Sequence, residues 1–90
     1  MDEINNRIIA NMINIMNEYE SGTKKLSTLV KELEGSITAF DPSLKPEKER
    51  DFFNLLTTLE EANAMDEEER YKPFIRKTLG GMKLFLAALK

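Results

Sequence analysis

Residues 24–40 read KKLSTLVKELEGSITAF, and within them Leu26, Leu29, Val30, Leu33, Ile37 and Phe40 recur at steps of three and four. At 100° per residue these six side chains fall in an arc of about 100°, the width of a single buried helical face. Such a helix packs on one side only. It must find apolar partners elsewhere in the chain, and the segments on either side supply them.

Upstream, residues 2–20 place Ile4, Ile8, Met12, Ile15 and Tyr19 on one line, with Ile9, Ile13 and Met16 widening it to an arc of about 180°. Asn6, Arg7, Asn11, Asn14, Asn17 and Glu18 fill the opposite side. Asn is a mediocre helix former, so packing has to supply what propensity does not. Ser21-Gly22 ends this helix, with Gly22 as the left-handed cap. Gly35, in the following helix, lies off the apolar stripe and marks a local weakness.

Downstream, Asp41-Pro42-Ser43 breaks the second helix and Pro46 opens a third, with Glu47 and Glu49 at the positive end of its dipole. Phe52, Leu55, Leu56, Leu59 and Ala62 form its inward face, Phe53 lies at the margin, and the helix should run to Ala64 or Met65. Asn63 falls inside that arc and is expected to satisfy a terminal carbonyl. Asp66 and Glu69 then make a variant of the capping box that starts a fourth helix. Its apolar phase runs across Pro73 through Tyr71, Phe74, Ile75, Leu79, Met82, Phe85, Leu86 and Leu89. This predicts one kinked helix or two nearly collinear pieces sharing a core face. Gly80, Gly81, Leu84, Ala87 and Ala88 lie on its other side, where small residues would admit another backbone or loosen the helix.

The expected fold is all-α: an antiparallel bundle of four helices, the last kinked or split at Pro73, in a single domain over residues 1–90. Met12, Met16, Met65 and Met82 are read as gap-filling core groups.

Function is less legible. There is no His, Cys or Trp, so the side chains best suited to acid–base work at neutral pH, thiolate attack and soft metal sites are missing, and no enzyme activity is expected. A net charge of −3 argues against a nucleic-acid binder. Lys72, Arg76, Lys83 and Lys90 line up opposite the core face of the last helix and are read as a solvated stripe without interleaved aromatics. Met1-Asp2-Glu3-Ile4 is acidic and unlike a basic leader, and no apolar run approaches the ~20 residues of a membrane span, so a cytoplasmic protein is expected. No cofactor or metal is expected either, because no oxygen-ligand loop with a supporting glycine occurs.

The strongest local signal is acidic. Glu60, Glu61, Asp66, Glu67, Glu68 and Glu69 put six carboxylates in ten residues with no basic group among them. They are either a solvated corner that caps the fourth helix or a surface that steers and docks a basic protein, with Glu60, Glu61, Asp66, Glu67 and Glu68 as candidate partner-binding residues.

The order of segments resembles a known family. The first helix ends in Tyr19-Glu20-Ser21-Gly22. Leu29-Val30-Lys31-Glu32-Leu33-Glu34-Gly35 follows, and then Phe52-Phe53-Asn54-Leu55-Leu56-Thr57-Thr58-Leu59-Glu60-Glu61-Ala62. Over residues 8–70 this is similar to the small all-helical bacterial immunity proteins of contact-dependent growth inhibition and related toxin systems. The resemblance implies a cytosolic antitoxin that binds a cognate toxin, often a nuclease, and blocks its active site or substrate access. It carries no catalytic residues over. A self-associating structural or regulatory bundle, monomer or homodimer in question, is the competing expectation, because the wide stripe on the first helix exceeds what three neighbours in a small bundle cover.

Overall fold

The computed structural model describes residues 3–40, 44–65 and 68–89. It contains α1 (Glu3–Glu20), α2 (Leu26–Ile37), α3 (Pro46–Ala64) and α4 (Glu68–Ala88), with no strand among the described residues. Each helix packs on its chain neighbour and α4 returns to α1, closing an antiparallel four-helix bundle.

The ends of α1 and α3 follow from their sequences. Gly22 takes a φ of 88°, and its N–H donates to the Tyr19 carbonyl at 3.0 Å while the Thr23 N–H donates to Glu18 O at 3.0 Å. This is the Schellman pair of bonds that a left-handed residue makes possible. The Ser21 and Thr23 hydroxyls also donate to Glu18 O. Pro46 sits in the first turn of α3 behind Lys45, whose carbonyl accepts from the N–H groups of Lys48 and Glu49.

All six apolar residues of the 24–40 stretch are buried, yet α2 itself is shorter than its periodicity predicts. It stops at Ile37, where the Thr38 hydroxyl turns back to the carbonyls of Glu34 and Gly35. Phe40 reaches the core from the turn beyond, 4% exposed. Hydrophobic burial outlasts the helix here.

α4 is one continuous helix through Pro73, so the split alternative is not the one adopted. Pro73 is exposed and near the helix start, where the N–H it lacks would have served only the Glu69 carbonyl. The Asp66 half of the expected capping box lies outside the described residues.

The core draws on every helix: Ile9, Met12 and Met16 from α1, Leu29 and Leu33 from α2, Phe52, Leu56 and Leu59 from α3, and Ile75, Leu79, Met82 and Leu86 from α4 are all fully buried. The Phe52 and Phe85 rings meet at 5.6 Å with a 49° tilt across the α3–α4 seam. Each such side chain contributes roughly 1.5–3 kcal/mol by leaving water.

Two stripes are centred differently from the expectation. On α1 the buried line is Asn5, Ile9, Met12, Met16 and Tyr19, flanked by Ile15, and Ile4 stands 61% exposed. Ile4 is displaced by about 100° from Asn5, at the rim of the face and one residue into the helix, where nothing covers it. On α4, Phe74 is 50% exposed for the same reason: it lies about 100° from Ile75, whereas Ile75, Leu79, Met82 and Leu86 span only about 60°. Asn63, expected to turn to a terminal carbonyl, is exposed at the end of α3.

Candidate functional site

The acidic segment divides in space. Glu60 and Glu61 are exposed on the last turns of α3, Asp66 and Glu67 lie outside the described residues, and Glu68 is half-buried at the start of α4. Glu68 shares a cavity of about 410 Å³ with Tyr19, Lys24, Lys25 and Lys72. Glu61 belongs to a different recess of about 120 Å³, formed with Thr58, Ala62, Met65, Tyr71 and Phe74.

Around Glu68, two of the three lysines are paired. Lys24, only 12% exposed, donates to Glu32 at 2.6 Å and lies 4.0 Å from Glu18; Lys72 donates to Glu69 at 3.0 Å. The Tyr19 hydroxyl is buried beside them and makes no hydrogen bond of proper geometry. Burial pushes its pKa up to about 12, and the nearby Glu68 carboxylate, which attracts the phenolic proton, adds to the effect. Each of these pairs stays on its own side of the cavity, which lies between the α1–α2 turn and the start of α4.

A second seam holds α4 to α1. Lys83 donates to Glu20 at 2.7 Å and to Asn17 at 2.8 Å. Lys72 and Lys83 are thus partly buried and paired, which corrects the expectation of a solvated stripe; Arg76 is exposed and Lys90 lies outside the described residues. An open groove of about 430 Å³ lies between α1 and α2 at Ile8, Asn11, Gly35 and Ala39. Its two charged residues are also engaged, Arg7 with Glu3 at 2.9 Å and Glu32 with Lys24.

The recess at the α3–α4 corner differs from both. Met65 is 57% exposed and Phe74 50%, side by side on a small protein that otherwise buries its large apolar groups, with Ile4 and Leu84 as the remaining exceptions among the described residues. Sequence reasoning placed Phe74 and Met65 in the core and so missed them; the offset of Phe74 from the Ile75–Leu86 line was the available signal. Among the described residues no cation pairs with Glu61. They also bring no group of three or more carboxylates together in a way that could hold a metal ion.

No family model, curated protein or solved structure matches the chain.

Nor is any helix among the described residues long and apolar enough to cross a membrane. An apolar wall beside a carboxylate that is unpaired among the described residues is suited to protein recognition, where aromatic and methionine side chains provide contact area and charge selects the partner.

Proposed function

We propose that this chain is a cytoplasmic immunity protein: it binds a cognate, basic toxin domain such as a nuclease and neutralises it by occlusion, without catalysis of its own. The observation that carries the reading is the placement of exposed Glu61 in one recess with exposed Met65 and Phe74, with Glu60 exposed on the same turn of α3. Exposed aromatic and methionine side chains are enriched in recognition surfaces, and carboxylates beside them favour a basic partner. The family-like order of helices and the lack of His and Cys agree with it.

The test is co-expression with candidate basic toxin domains, beginning with any that an adjoining gene encodes. Rescue of growth together with a stoichiometric complex supports the proposal. Continued toxicity, with the protein folded and no complex formed, contradicts it.

One observation favours a second reading, self-association. Leu84 is 74% exposed on α4, among exposed Gly80, Ala87 and Ala88. Native mass decides: a stable dimer lost on Leu84→Lys supports it, and a monomer at high concentration removes it.

A further inference from the structure

We infer that the recess between α3 and α4 is a socket for one basic side chain, an arginine or lysine, presented by a partner protein. The inference deepens the toxin-binding proposal and rests on it for the identity of the partner. The recess itself is small, about 120 Å³, and is lined by Met65, Phe74, Tyr71 and Glu61 together with Thr58 and Ala62. Long cationic side chains have an apolar stem and a charged head, so they fit a pocket with hydrocarbon or aromatic walls and one carboxylate. A neutral apolar side chain would leave Glu61 without a counterpart; an acidic one would oppose it.

One further observation selects a cation. Arg7 and Glu32 in the groove between α1 and α2 already hold partners, as do Lys24 and Lys72 near Glu68, whereas Glu61 has none among the described residues. The exposed thioether and ring of Met65 and Phe74 extend the apolar surface of the recess toward solvent.

The experiment titrates the full chain, labelled at the methionine methyls, with N-acetyl-arginine amide, and follows Met65 by NMR. The Met65 methyl should shift saturably, ahead of Met12, Met16 and Met82, which are enclosed in the core. N-acetyl-norleucine amide and N-acetyl-glutamate amide should leave it in place at the same concentration. Glu61→Gln should weaken the arginine response severalfold, and Phe74→Ala likewise, while Glu34→Gln on α2 leaves it unchanged. An unmoved Met65 methyl, or equal responses in parent and Glu61→Gln, overturns the socket. None of these readouts involves a toxin, so failure of the socket and failure of the immunity reading are separable.

Discussion

Lys83 and Glu20 meet at 2.7 Å across the seam between α4 and α1, the first and last helices of the bundle. Both side chains are about one-third exposed, 31% and 35%, so water screens the pair. The packing of Met12, Met16, Leu79 and Met82 into the common core carries the stability of the bundle, and the ion pair sets which residues face each other.

The pair should accordingly contribute little. In a double-mutant cycle of Lys83→Met and Glu20→Gln, the coupling energy should be below ~1 kcal/mol and should shrink further in high salt. A coupling of several kcal/mol would show that the seam depends on charge.

Core substitutions should behave oppositely. Leu33 and Leu59 are fully enclosed, and Leu33→Asp or Leu59→Asp puts a carboxylate where nothing can pair it. The loss should exceed about 4 kcal/mol, comparable with the whole stability of a domain this size, so circular dichroism should report an unfolded chain. An unchanged melt in both variants would mean that the core lies elsewhere.

Most of this was readable before any coordinates. The 24–40 stretch identified all six of its buried residues because its arc is narrow, and a narrow arc has only one way to face inward. The first helix was harder: Ile4, Ile8, Ile9, Ile13 and Ile15 make a face wider than its neighbours cover, and the sequence does not say which rim is left out. The packed solution buries Asn5 and leaves Ile4 outside, a choice made by α2 and α4. At the candidate site the carboxylates were visible as a run, but a run has no direction. That Glu68 would face lysines from a turn some forty residues away, while Glu61 faces Met65 and Phe74, depends on tertiary placement that periodicity does not encode.

Glycine positions offer a contrast within one protein. Gly22→Ala forces a side chain into the left-handed region at φ 88° and should cost about 1 kcal/mol or more. Gly80→Ala, mid-helix with open space where the Cβ would go, should gain ~0.5–1 kcal/mol. Urea midpoints at constant slope measure both, and a stabilised Gly22→Ala would contradict the cap.

Alkaline titration probes the Tyr19 environment. In a Tyr71→Phe variant, phenolate absorbance should appear near pH 12 in the native state, because burial foremost and Glu68 next disfavour ionisation. The unfolded chain should titrate near 10. Since the native pKa is the higher one, this group's contribution to stability is intact below pH 10 and declines as pH rises from about 10 to 12. A native midpoint at 10 would place the hydroxyl in water.

The most direct measurement of the central claim takes a toxin domain that this protein neutralises on co-expression, and follows its association rate with the parent protein and with a Glu60→Lys, Glu61→Lys variant, across a range of salt. Both carboxylates are exposed, so the helical melt should be nearly unchanged. For the parent, association should slow as salt rises, and at low salt the variant should associate more slowly, by up to the ~10–10³-fold range of steered pairs. If the variant associates as fast as the parent at low salt, these carboxylates do not dock the partner and the corner is only a solvated helix end.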